Sequence, residues 1–89
     1  CMTLWLSNLL LSEQNGLFDR ERAALLGALP ELPGHVILVM NTVGMGVVPM
    51  GALSRQFVDQ SGLLEQALAE LSERVTLAVA GLPMILKQP

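Results

Sequence analysis

Val36-Ile37-Leu38-Val39-Met40 are all apolar, and they run without a break into Asn41-Thr42-Val43-Gly44-Met45-Gly46-Val47-Val48-Pro49. An apolar run with no polar alternation reads as a strand covered on both faces, the pattern of a parallel sheet. The glycine-rich word that follows places pliable backbone at the carboxyl end of that strand, where open α/β sheets bind their ligands. Gly44 and Gly46 permit a positive φ and a close backbone approach, and Pro49 stiffens the exit. A purely structural turn uses the same residues, so the pattern by itself leaves both readings open.

The chain has 89 residues, enough for one small domain or part of a larger one. Hydrophobic residues make up 52% of it and charged residues 15%, with a mean hydropathy of +0.53. That is very apolar for a small domain, which has much surface to keep wet. A membrane segment and a piece of a larger covered sheet both produce such a composition. The longest nearly apolar stretch, Val75 to Leu86, is interrupted by Thr76, Gly81 and Pro83 and is too short to span a bilayer. No basic segment precedes the first apolar run, so no secretory signal is expected. The chain opens at Cys1 directly into an apolar helical pattern, which reads as the C-terminal part of a longer protein. A net charge of −3 with five scattered basic residues gives no footprint for nucleic acid. The single cysteine cannot form an internal disulfide, which suits a reducing cytoplasm.

Periodicity predicts a short buried helix over Thr3–Leu11 and a polar loop over Ser12–Gly16. A second helix is predicted over Phe18–Leu29, with Leu25 and Leu29 on its inner face and Asp19, Arg20, Glu21 and Arg22 solvated. Asp19 and Glu21 suit the positive end of its dipole, and Pro30 and Pro33-Gly34 end it. A third helix is predicted over Ala52–Ser72, where Phe57, Ser61, Leu64, Leu68 and Leu71 form one buried stripe. Gly62 interrupts that helix at a cost of about 1 kcal/mol relative to alanine, which suggests close packing against a neighbour. Arg74 leads into a strand over Val75–Ala80 that ends at Gly81-Leu82-Pro83. The order helix, helix, strand, helix, strand belongs to a parallel α/β sheet. Two strands do not make a stable sheet alone, so further strands are expected upstream. Isolated, the chain is expected to expose apolar sheet surface and to associate.

The words CMTLWLSNLL, NTVGMGVVP, LSRQFVDQSGLLEQ and AGLPMILK, in this order, resemble the C-terminal half of the adenosylcobinamide kinase / adenosylcobinamide-phosphate guanylyltransferase family. N-x-V-G-x-G-x-V-P followed by R-x-F-x-D-x-x-G-x-x-x-Q is far more specific than a lone glycine pattern. The resemblance covers nearly the whole chain, with residues 12–34 uninformative. It implies a P-loop, RecA-like α/β fold, of which this would be the C-terminal part of one nucleotide-binding domain. It also implies a cytoplasmic, homo-oligomeric enzyme of cobalamin biosynthesis. Such an enzyme phosphorylates the aminopropanol hydroxyl of adenosylcobinamide with ATP or GTP and Mg²⁺. It then transfers GMP from GTP to that phosphate through a guanylylated histidine. The phosphate loop G-x-x-x-x-G-K-[ST] does not occur in this sequence, and the histidine nucleophile is expected upstream. The 89-residue chain alone is therefore expected to be inactive.

By the same resemblance, the candidate nucleotide-binding residues are Thr3, Asn41, Gly44, Gly46 and Arg55. Thr3 matches the family's C-x-T word, where its hydroxyl reaches a nucleotide oxygen or serves as a helix N-cap. Asn41 either touches ligand, pins the loop or forms an Asx turn. Arg55 and Asp59 match R-x-F-x-D; four apart on a helix, they can simply pair, with phosphate contact by Arg55 as the rival role. Lys87 matches a terminal family lysine and reads as part of a solvated tail. Three positions depart from the family pattern: Thr42 replaces a glutamate, Glu65 an asparagine, and Met50 an acid.

The remaining single residues carry plainer readings. His35 has no nearby Cys, His or paired acid and reads as a surface histidine. Cys1 reads as a small buried residue and Trp5 as core. No metal-ligand spacing appears. Besides the enzyme reading, the departures leave open a truncated or degenerate non-catalytic module that associates or binds nucleotide weakly. Another P-loop kinase with a similar C-terminal half is a third reading.

Overall fold

The computed structural model describes residues 1–12, 14–43 and 52–89. Helix α1 spans Met2–Leu10, α2 Leu17–Ala28 and α3 Ala52–Leu71. Strand β1 spans Val75–Val79 and β2 Leu82–Lys87.

The apolar residues of α1 recur at helical spacing, and the structure uses that face. Leu6 is fully buried, and Met2, Trp5 and Leu10 pack against the same core. Gly16 precedes α2 at φ 75°, a left-handed conformation in which a side chain would be strained. The Arg20 Nη1 donates to the Asn15 carbonyl at 3.2 Å across that entry. Phe18, Leu25, Leu26 and Leu29 carry α2 onto the core. Pro30 does not stop the chain abruptly: the helix tightens into a 3₁₀ turn over Leu29–Glu31, where the missing N–H is tolerated.

Helix α3 provides the centre of the molecule. Leu64, Leu68 and Ser61 are buried, and Phe57 packs beside them, as its stripe predicts. Leu71 departs from that stripe and is 43% exposed, because the core ends one turn earlier. Gly62 departs too. A Cβ there would meet no described atom within 4 Å, so close packing is not what this glycine serves among the described residues. Cys1 is exposed rather than buried. His35 lies at the surface and Trp5 at the rim of the core, as expected.

The segment Val36–Met40 is not a strand in this structure. Leu38 and Met40 turn inward to the helices, while Ile37 is 85% exposed and Val39 63% exposed. One face is thus covered and the other is not. A strand exists only with a neighbour to take its backbone groups, and no described segment lies beside this one as a ladder partner.

The strand expected over Val75–Ala80 is present as β1, but it pairs antiparallel with β2 rather than parallel with residues 36–40. Ala80 (φ 53°) and Gly81 (φ 75°) make a two-residue turn with both central residues left-handed, the twist that suits a hairpin. Pro83 sits opposite Ala78 inside β2 instead of ending the strand. An edge strand tolerates it, since its outward side needs no N–H. Lys87 is no loose tail. Its Nζ donates to the Ala69 and Glu70 carbonyls at 3.0 and 2.9 Å, fastening β2 to the C-terminal end of α3. Ser72 closes the same end through its hydroxyl, 2.7 Å from the Leu68 carbonyl. Among the described residues no helix is long and apolar enough to cross a membrane.

Candidate functional site

The first turn of α1 is joined directly to the end of the 36–41 segment. Met2 N–H, one of the helix donors that has no partner within its own helix, donates to the Val39 carbonyl at 2.8 Å. The Thr3 Oγ1 accepts from the Asn41 N–H, also at 2.8 Å. Thr3 is therefore not an N-cap. That position belongs to Cys1, which makes no side-chain capping bond. The hydroxyl instead fixes the backbone where the glycine word begins, and as an alcohol it still carries a hydrogen of its own to donate.

Beyond Asn41 the chain bends at once. Val43 N–H donates to the Asn41 main-chain carbonyl at 3.0 Å. An Asx turn would have sent this donor to the Asn41 side chain, so the turn is a main-chain one. Between them, Thr42 donates its hydroxyl to the Glu65 Oε1 at 3.1 Å, in half-buried surroundings. The stretch 39–43 is thus held from one side by α1 and from the other by α3.

Of the candidate residues, Thr3 and Asn41 meet. Gly44 and Gly46, with Met50, lie outside the described residues. Arg55 is exposed in the first turn of α3, one helical turn before the exposed Asp59. It stands ten residues before Glu65, roughly 15 Å along the helix axis at ~1.5 Å per residue. The anchored entrance at 41–43 and Arg55 therefore engage α3 in different places.

Sequence reading missed the contact between Thr42 and Glu65. Both positions were visible only as separate departures from the family words, yet the structure sets them against each other. Two unusual residues at once, in words that meet in space, were the available signal. Among the described residues there is no group of three or more His, Cys, Asp or Glu that could hold a metal ion.

Residues 1–86 match the family cobinamide kinase / cobinamide phosphate guanyltransferase. The bifunctional adenosylcobalamin biosynthesis protein CobP of Pseudomonas aeruginosa is 61% identical over 87 residues, covering 98% of this chain and 50% of the relative. The bifunctional adenosylcobalamin biosynthesis protein CobU of Salmonella typhimurium is 41% identical over 69 residues, 78% of this chain and 38% of the relative. Its Escherichia coli namesake is 39% identical over the same length. The chain spans half the length of the Pseudomonas relative and less of the other two. With the family matched from Cys1 to Leu86 and with the family's words meeting at one anchored turn, this chain belongs to the cobinamide kinase / cobinamide phosphate guanyltransferase family.

Proposed function

We propose that this chain is the C-terminal part of a bifunctional adenosylcobinamide kinase / adenosylcobinamide-phosphate guanylyltransferase, and that residues 39–46 form one wall of its nucleotide site. In the intact protein, ATP or GTP phosphorylates adenosylcobinamide, and GTP then donates GMP to the product. Thr3, Asn41, Gly44, Gly46 and Arg55 face nucleotide, while the phosphate loop and the histidine nucleophile come from the rest of the protein. The observation that carries this reading is the Thr3–Asn41 hydrogen bond. It joins two family words 38 residues apart, where the glycine word of the sequence begins. The 61% identity to a protein named as a bifunctional enzyme of adenosylcobalamin biosynthesis supports the same conclusion.

The intact protein is a cytoplasmic homo-oligomer whose P-loop domain has a parallel sheet. Residues 36–40 and β1 are members of that sheet, and further strands lie beside them. Support comes from the outward Ile37 and Val39 and from an open trough between residues 34–38 and 71–76, which leaves room for added backbone. The non-catalytic alternative draws on the neutral Thr42 where an acid is usual. The 61% identity to a protein named as a bifunctional biosynthetic enzyme counts against it.

Incubating the intact protein with labelled GTP and adenosylcobinamide tests the proposal. Phosphorylated and then GMP-linked corrinoid should form, and the 89-residue chain by itself should form neither. An intact protein that binds GTP but makes neither product would favour the non-catalytic reading.

A further inference from the structure

We propose that Thr42 and Glu65 are a positioning pair: α3 holds the turn at residues 41–43 through them, and nucleotide affinity depends on that hold. The proposal rests on the reading of residues 39–46 as a nucleotide wall.

The contact is a hydroxyl donating to a carboxylate at 3.1 Å, between half-buried residues 23 positions apart in sequence. A hydrogen bond to an ionised acceptor is stronger than one between neutral groups, and partial burial protects it from competing water. Glu65 is also well placed to act as an anchor. It follows the fully buried Leu64 directly and precedes Leu68, which is 6% exposed, so its helix is fixed where the carboxylate leaves it. The other side of the same backbone is tied to α1 through Thr3 and Met2. Residues 41, 42 and 43 are consequently restrained one after another: by Thr3 at the Asn41 N–H, by Glu65 at the Thr42 side chain, and by the Asn41 carbonyl at the Val43 N–H. Severing the α3 tie leaves the turn fixed from one side only. Ligand contacts made by a turn depend on placement at the scale of an ångström.

The pair is separable from a merely structural contact. Four variants of the intact protein are compared: Thr42→Val, Thr42→Ser, Glu65→Gln and the double variant Thr42→Val/Glu65→Gln. Equilibrium dialysis with labelled GTP gives affinity, and a thermal melt without nucleotide gives stability. Thr42→Val should weaken GTP binding about 3- to 10-fold. Thr42→Ser, which restores the donor, should return to within about 2-fold of the unsubstituted protein. Glu65→Gln keeps an acceptor oxygen and should lose less than Thr42→Val, and the double variant should be no weaker than Thr42→Val alone.

Unchanged GTP affinity in all four variants, with only the melting temperature lowered, would overturn the proposal. So would losses that multiply in the double variant. A Glu65→Gln loss exceeding that of Thr42→Val also overturns it, since the carboxylate would then be acting on the ligand directly rather than through Thr42. An unsubstituted protein that binds no GTP overturns the nucleotide-wall reading first, and that result is distinct from all the others.

Discussion

Replacing Thr3 with valine removes one oxygen and changes almost nothing else. Both side chains are β-branched and of similar helix propensity, so the first turn of α1 should persist. What disappears is the acceptor for the Asn41 N–H at 2.8 Å. Asn41 is exposed, so its freed N–H is taken up by water rather than left stranded. The loss therefore falls in the lower part of the range for a net neutral hydrogen bond, about 0.5–1 kcal/mol. For a domain twice this length, as in the Pseudomonas relative, about 1 kcal/mol corresponds to roughly 2–4 °C in Tm. Affinity reports a second quantity. A Thr3 hydroxyl that also donates to bound nucleotide adds about 0.5–1.5 kcal/mol, or roughly 2- to 13-fold in Kd for GTP. Both numbers come from one preparation of the intact protein, by thermal melting and by equilibrium dialysis with labelled GTP. The expected result is a lowered Tm together with weakened GTP binding, and Thr3→Ser should restore both. Weaker stability with unchanged affinity would take Thr3 out of the site. Unchanged stability would refute the weight given to its bond with Asn41.

Ser61 is fully buried and its Oγ has no partner among the described residues, so Ser61→Ala should raise stability by about 1 kcal/mol through relief of a stranded hydroxyl and better helix propensity. A lower melting temperature would show that the hydroxyl is bonded in the intact protein. Gly62→Ala meets no described atom within 4 Å and should stabilise α3 by about 0.5–1 kcal/mol; destabilisation would place another segment against that glycine. Lys87→Met keeps the side-chain stem but removes the charge from the end of α3, and it should cost about 0.3–1 kcal/mol at low salt and less at high salt. A penalty independent of salt would argue that packing, not the ammonium, fastens β2. The isolated chain leaves Ile37, Leu82 and Ile85 mostly exposed and should associate in sedimentation experiments; a single monomeric boundary would refute this.

Local chemistry made the helices legible. The apolar periodicity of α1 and α3 and the glycine and proline around α2 locate each boundary within a residue or so of the observed one. The same punctuation misled at the hairpin. Gly81-Leu82-Pro83 reads as a strand end, but Ala80 takes the left-handed conformation beside Gly81, and Pro83 finds an edge position that does not need its N–H. Residues 36–40 carry the composition of a doubly covered strand, yet no described segment pairs with them, so local sequence alone does not produce the strand. Half of the candidate site was legible in the same sense. The family words point to Thr3 and Asn41, but not to the manner of their meeting, because a hydroxyl reaching a main-chain N–H 38 residues away leaves no trace in spacing. The link from Thr42 to Glu65 is likewise a product of packing, visible only once α3 lies beside the turn.

That doubly tied entrance has a kinetic consequence. Its side-chain ties span 38 and 23 residues, and each needs a docked helix before it can form. Closing such spans costs chain entropy that is recovered only when the core has assembled. The turn should therefore mature late in folding, and loss of its ties should speed unfolding more than it slows folding. Fraying of the first turn of α1 would release residues 39–41 while Leu6, Leu64 and Leu68 stay packed, so this entrance can come loose in a molecule that is otherwise folded.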